Sequence, residues 1–444
     1  MNSQEKSLSK ALDSMRGWAR CLAVAAFFAA QAVGAQGLPS ATPESVGMSS
    51  ERLARIGTWM QAEVDAGRVA GAVVMVARDG KLAYFNAAGK QDPTRPDPMR
   101  SDTIFRIYSM SKPIVAAAAM MLVEEGKLQL NAPVSRYIPS YANVRVGVEK
   151  IDPATGAKSL ELVPARRAMT VQDLLRHTSG ITYGVFGTFG NELVETAYRD
   201  AGVASNVRSA DPAAKFTTAE LAEKLAALPL SYHPGSTWNY GFSTDVLGRV
   251  LEVATGQSLY TVLRTRLFDP LGMKDTSFFV TEPARQARIA EALPDDVATA
   301  TIRSVRVPHP LESGGGGLVS TAQDYARFLQ MMLAGGVFEG RRYLSPKTIE
   351  YMVSDHLGTA VAPGSLYLPG PGYGFGLGFA VRKSAGEAPS IGSPGEYYWG
   401  GGGGTYMWVD PKTRLFAILM MQAPRRGPEY QPMLRNLVYA AVLN

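Results

Sequence analysis

Apolar positions along the chain change period several times, and each change marks a predicted element. Leu53, Ile56, Met60 and Val64 recur at helical spacing, which predicts an amphipathic helix over 50–66. Gly71 to Ala77 is an uninterrupted apolar run, Asp79-Gly80 is a two-residue hairpin signal, and Lys81 to Ala87 reads as the return strand. Toward the other end, 374–381, 405–409 and 414–421 read as three further strands, the last two joined by a turn at Asp410-Pro411-Lys412. A terminal helix follows Pro428, with Met433, Leu434, Leu437, Val438 and Ala441 on its apolar side. Between these ends, helical patterns cover 170–176, 217–228, 242–255, 321–333 and 345–353. Thr170/Asp173 and Thr217/Glu220 have capping-box spacing, and Pro346 stands where a first helical turn tolerates it.

Strands at both ends with helices between them predict an α/β (α+β) fold. One antiparallel sheet is built from the two termini and flanked by the terminal helices, with an all-helical region inserted. The expected division is a discontinuous α/β domain over 36–140 and 305–444 and a mostly helical domain over 141–304. Residues 180–216 are poor in pattern and rich in Gly, Ala and aromatics, which suits either a lid or an irregular surface loop.

The first 35 residues differ from the rest. A polar, net positive stretch precedes Cys21 to Ala32, which is almost wholly apolar, and Val33-Gly34-Ala35 offers the small residues a signal peptidase reads. The apolar run is shorter than the ~20 residues of a membrane span. We expect a signal peptide over 1–35, cleavage near Ala35, a periplasmic or secreted mature protein and no stable membrane insertion. Cys21 is the single cysteine, so no intramolecular disulfide can form. The net charge is +6, and the chain after residue 35 keeps 41 basic against 37 acidic side chains. So mild and dispersed a balance does not point to nucleic acid.

Several chemistries lack their signatures. No Gly-x-Ser-x-Gly elbow is present, and the four histidines, His177, His233, His309 and His356, have no zinc-hydrolase spacing. No metal or organic cofactor is implied. The positive signal is Ser109-Met110-Ser111-Lys112, a Ser-x-x-Lys that opens a long apolar helix. At i and i+3, Ser109 and Lys112 share a helix face, and burial there disfavours a charged ammonium, as a base requires. Ser109 lies beside free backbone N–H groups at a helix start, which favours an oxyanion. Either Ser109 or Ser111 could instead be a helix cap. A second element, Trp238 to Ser243, puts Tyr240 in a loop before a helix, where a phenol can relay protons or simply be a core tyrosine. The third is Trp399 followed by Gly400 to Gly404, whose glycines can let a substrate approach backbone N–H groups.

The order of these elements resembles the serine β-lactamase and penicillin-binding-protein superfamily. The segments that carry the resemblance are FRIYSMSKPI (105–114), LLRHTSG (174–180), PGSTWNYGFSTDVLGRVLEVATG (234–256), SGGGGLVSTAQD (313–324) and WGGGGGTYMWVDP (399–411). Within it, the chain is most similar to the class C-like esterases called family VIII carboxylesterases. The resemblance implies Ser109 as nucleophile, Lys112 and Tyr240 as proton carriers, and an oxyanion hole from the N–H groups of Ser109 and Gly402. Trp399-Gly400-Gly401 stands where β-lactamases carry Lys-Thr-Gly, and Phe242 stands where they carry the Asn of Tyr-x-Asn. An indole in place of a cation implies neutral, apolar esters. Trp399, Gly400, Gly401, Phe242, Tyr183 and Phe186 are the candidate substrate-binding residues. Tyr183, Phe186 and Phe189 are also candidate lid aromatics, and Trp399 could equally be a core anchor. His177 is expected to have a structural hydrogen-bonding role. The expected function is a carboxylesterase-type serine hydrolase acting on small ester substrates. The alternatives are a β-lactamase or D,D-peptidase, an amidase or acyltransferase with the same residues, or a non-catalytic binding homologue.

Overall fold

The computed structural model describes residues 37–184, 191–204, 215–294 and 304–444. The expected signal at 1–35, together with Phe186 and Phe189, lies outside the described residues. The chain enters through helix α1 (Ser50–Asp65), whose N-cap Ser49 accepts a hydrogen bond from the Arg52 N–H. It then forms the hairpin β1 (Gly71–Arg78) and β2 (Lys81–Gly89) and the helix α2 (Ser111–Glu124). A second hairpin, β3 (Arg145–Ile151) and β4 (Lys158–Pro164), leads to the helices α3 (Val171–Leu175), α4 (Glu192–Asp200), α5 (Thr218–Ala226) and α6 (Ser243–Thr255). Helices α7 (Ala322–Leu333) and α8 (Pro346–Met352) follow. The strands β5 (Tyr373–Phe375), β6 (Ala380–Arg382), β7 (Tyr397–Gly400), β8 (Tyr406–Asp410) and β9 (Leu415–Met421) complete the sheet, and α9 (Gly427–Ala440) closes the chain.

Seven strands pair in the order β5-β6-β7-β8-β9-β1-β2, so strands from the two ends of the chain meet at β9 and β1, with Val74 opposite Leu419. All neighbours in this sheet are antiparallel. Every residue of β1 is buried because both faces are covered, which is why its sequence reads as a continuous apolar run. Val74 and Val76 pack with Leu53, Ile56 and Met60 of α1 and Leu434 and Val438 of α9. Val73, Met75 and Ala77 face the other layer, with α2 and α7. Helix α2 is apolar all round and buried from Ser111 to Met120, as a helix in the centre of a core must be.

Three local expectations change. The run 374–381 is two short strands rather than one, reversing at 376–379. Gly378 has φ +89°, and a Cβ there would lie 2.8 Å from the Ala116 Cβ of α2, so the chain turns tightly against that helix. The β3–β4 hairpin was not expected. Its apolar residues alternate only briefly, Val146 with Val148 and Leu160 with Leu162, among exposed residues that include the Lys150–Glu161 and Lys158–Glu149 ion pairs. On α9, Met433 is exposed, whereas Leu434, Val438 and Ala441 are buried. Among the described residues no helix is long and apolar enough to cross a membrane.

A short strand pair, Phe105–Arg106 against Val319–Ser320, delivers the chain to Ser109. Behind it, Asp324 in the first turn of α7 accepts from the Asp275 N–H (2.7 Å) and the Thr276 hydroxyl (2.9 Å). Burial pushes the Asp324 carboxyl up to about 6. The unfolded chain therefore ionises first. This group's contribution to stability is complete below about pH 4 and is lost as pH rises through 6, on the order of 3 kcal/mol in all. Asp324→Asn keeps the carbonyl acceptor without the charge. Its Tm should exceed that of the parent at pH 7.5, and the gap should shrink as the melts are repeated toward pH 4. A gap independent of pH would mean that Asp324 titrates normally.

Candidate active site

Ser109 lies in a single 3₁₀ turn, Tyr108–Met110, immediately before α2, which begins at Ser111. Neither Ser109 nor Ser111 caps the helix with its side chain. Ser111 Oγ instead donates to the Tyr108 carbonyl (2.7 Å) and accepts from the Leu318 N–H (3.1 Å), tying the turn to the strand pair below it. Tyr108 holds a left-handed φ of +44°, an unusual conformation for an aromatic residue and one that surrounding packing must enforce.

One helical turn after Ser109, Lys112 projects from α2 and is 1% exposed. Its Nζ is 3.1 Å from Ser109 Oγ, 3.1 Å from the Tyr183 hydroxyl and 2.5 Å from the Gly315 carbonyl. Tyr240 reaches Ser109 from the loop ahead of α6, with its hydroxyl 2.7 Å from Ser109 Oγ. The Lys112 Nζ also lies 4.6 Å from the centre of the Tyr240 ring. Two phenols, one amine and one hydroxyl thus share a single connected network, with the amine buried and the serine part-exposed.

Aromatic packing fixes the Tyr240 ring. Trp238 stacks on it at 5.8 Å, and the Tyr183, Trp399 and His177 rings approach it at 5.4, 5.6 and 4.9 Å. Trp399 is 3% exposed and touches Phe375 as well, so it is a buried anchor behind Tyr240. Phe242, at the head of α6, packs edge-on to Tyr183 (4.7 Å). Tyr183, a candidate lid residue from sequence, instead meets the centre of the site through its hydroxyl. His177 is buried and holds a φ of +56°. Burial and, secondarily, the charge of Lys112 hold its imidazole well below the usual histidine range. Its Nδ1 has no hydrogen-bond partner among the described residues, and its ring packs against those of Trp238, Tyr240 and Phe375. Its backbone carbonyl accepts from the Asn239 N–H (2.8 Å), next to Tyr240.

Two residues escaped sequence reasoning. Gly315 supplies the third oxygen around Lys112. Asp245, on α6, accepts from Ser313 Oγ (2.6 Å) and the Gly315 N–H (3.1 Å), and so holds that loop in place. The signal was present in the SGGGG segment, but glycines carry no side chain to announce a carbonyl's role.

The glycine run is divided between two elements. Trp399 and Gly400 end β7, a strand the sequence pattern missed, and 401–404 turn into β8. This turn lies on the segment before Ser109. A Cβ on Gly401 would sit 2.3 Å from the Ile107 carbonyl, and one on Gly403 would sit 2.6 Å from the Tyr108 ring. Gly401 is buried, whereas Gly402 is exposed and a Cβ on it would meet nothing within 4 Å. Gly401→Ala should therefore displace the Ser109 turn and cut turnover by at least tenfold. Gly402→Ala should leave Tm unchanged. Measuring kcat and Tm for the pair checks this, and equal behaviour would refute the packing argument.

Residues 56–441 match the family model described as Beta-lactamase. Esterase EstB of Burkholderia gladioli is 33% identical over 395 residues, covering 84% of this chain and 91% of that protein. Protein Rv1367c of Mycobacterium tuberculosis is 35% identical over 368 residues, covering 81% and 87%. Among solved structures, "EstCE1, a hydrolase with promiscuous acyltransferase activity" superposes with a TM-score of 0.68 at 27% identity, covering 88% of this chain and 99% of that one. Sequence, fold and relatives agree that the chain belongs to the β-lactamase family, as a serine hydrolase with esterases among its relatives.

Proposed function

We propose that this protein is an exported serine esterase that cleaves short-chain carboxylic esters through an acyl-Ser109 intermediate. The observation that carries the reading is the position of Ser109 Oγ, within hydrogen-bond reach of both Tyr240 (2.7 Å) and Lys112 (3.1 Å). Ser109 Oγ attacks the ester carbonyl carbon, and its proton passes to the Lys112–Tyr240 pair. That pair returns the proton to the departing alcohol oxygen as the ester C–O bond breaks. Water then attacks the acyl-serine carbonyl carbon, giving one proton to the same pair, and the carboxylic acid leaves as the acyl C–O bond to Ser109 breaks and the pair passes that water proton to Ser109 Oγ. The N–H groups of Ser109 and Gly402 are the oxyanion donors in this reading. Among the described residues neither donates to a backbone carbonyl, and Gly402 opens to solvent beside the Ser109 turn.

The preference for neutral esters rests on the aromatic surroundings of Tyr240 and on the absence of a lysine at position 399, where a buried indole stands instead. The name of EstB supports an ester substrate. Export rests on residues 1–35 alone. The mature protein should be assayed on a short-chain p-nitrophenyl ester, a chromogenic cephalosporin and a D-Ala-D-Ala peptide. The ester should be turned over fastest. A faster rate on the cephalosporin would make a β-lactamase of it, and a faster rate on the peptide would make a D,D-peptidase.

A further inference from the structure

Tyr108 holds its left-handed φ of +44° at a position where glycine would do so without steric cost. Backbone strain persists only where the surroundings enforce it, and its location is a pointer to function. Two contacts fix the Tyr108 backbone. The Ser111 hydroxyl donates to its carbonyl oxygen (2.7 Å), and a Cβ on Gly316 would lie 3.7 Å from its carbonyl carbon.

The half-buried ring lies on the 401–404 turn. A Cβ on Gly403 would sit 2.6 Å from the ring's Cε2 and 2.8 Å from its Cδ2, with the Gln422 amide nitrogen next at 3.0 Å. The Gly403 carbonyl accepts from the Ala423 N–H (2.8 Å), and the Gly404 N–H closes the turn onto the Gly401 carbonyl (2.9 Å). One residue away, the Thr405 hydroxyl donates to the Ile107 carbonyl (3.3 Å). The segments 107–109 and 401–405 are therefore tied together by that hydrogen bond and by the Tyr108 ring. Each carries one of the two N–H groups assigned to the oxyanion, those of Ser109 and Gly402. Gly403 is clamped, whereas Gly402 beside it is open.

We propose that Tyr108 is a positioning residue whose ring sets the spacing between the Ser109 and Gly402 N–H groups. The inference rests on the ester reading, and it gives the ring no contact with the reacting atoms. Oxyanion donors act by being preorganised where charge develops, and a misplacement of about 1 Å can cost on the order of a hundredfold in rate. An interaction made only in the transition state lowers kcat and kcat/KM together.

Tyr108→Gly removes the ring and the strain at once. On a short-chain p-nitrophenyl ester its kcat and kcat/KM should both fall at least tenfold, with KM within about threefold of the parent. Tyr108→Phe, which keeps the ring, should restore the rate to within about threefold. Gly403→Ala approaches the same contact from the other side and should also lose at least tenfold in kcat. Placed in the Tyr108→Gly chain, Gly403→Ala should cost less than about threefold more, because the ring it would meet is gone. Such coupling is a readout that a general loss of stability does not produce, and a thermal melt of each sample shows that it is folded. Parental kcat in Tyr108→Gly or in Gly403→Ala would overturn the proposal. So would a loss carried wholly by KM, or losses that simply multiply in the double variant. A parent without Ser109-dependent ester hydrolysis would instead defeat the ester reading itself.

Discussion

Ser109→Ala should lose nearly all ester hydrolysis, on the order of a thousandfold or more, while the protein stays folded. The side chain is part-exposed at the head of α2, and its Oγ is the one atom that both Tyr240 and Lys112 reach. Replacing it with a methyl group removes the nucleophile but keeps the turn, which Ser111 and Tyr108 hold through other bonds. Steady-state rates on a p-nitrophenyl ester, with a thermal melt of the same sample, separate the two effects. Mass spectrometry of the parent quenched during turnover should find the acyl mass on the peptide containing Ser109, and the variant should show none. A variant that still turned over the ester would end the covalent mechanism.

Lys112→Met comes second in size, with an expected loss of about 10²–10⁴-fold, the range of a lost general base. Methionine keeps most of the length and apolar bulk, so the buried slot on α2 stays filled. It takes away the nitrogen that faces three oxygens and leaves the Gly315 carbonyl and the Tyr183 hydroxyl without that partner. An unpaired buried polar group costs about 1–3 kcal/mol, so the melt should fall by several degrees without the fold collapsing. Lys112→Arg should not rescue activity, because a guanidinium is wider and keeps its proton. If Lys112→Met kept a rate within a factor of ten of the parent, Tyr240 alone would be sufficient as base.

Ser109, Lys112 and Tyr240 were expected together because the order of their segments along the chain resembles the β-lactamase superfamily. Singly, Ser109 read equally as a helix cap and Tyr240 as a core tyrosine. The strand pattern was legible where both faces are buried, as in β1. It failed at β7, which is four residues long and runs into glycines, and at β3–β4, where the apolar alternation is two residues per strand and most positions are exposed. Tyr183 looked like a loop aromatic because its hydroxyl contact with Lys112 spans 71 positions. Gly315 and Asp245 depend on a loop meeting a helix far away in sequence, and no periodicity records such a meeting.

The pairing of β1 with β9 has a consequence for the order of assembly. During synthesis β1 and β2 emerge early, but the strand that lies beside β1 is nearly the last to be made. Until then, one edge of a strand that is apolar from Gly71 to Ala77 is unpaired, and the turn that abuts Ser109 does not yet exist. Loop closure over such a distance is slow and entropically costly. The chain thus gains its nucleophile's surroundings only at the end of folding, and an unfinished chain carries an exposed apolar edge rather than a working enzyme.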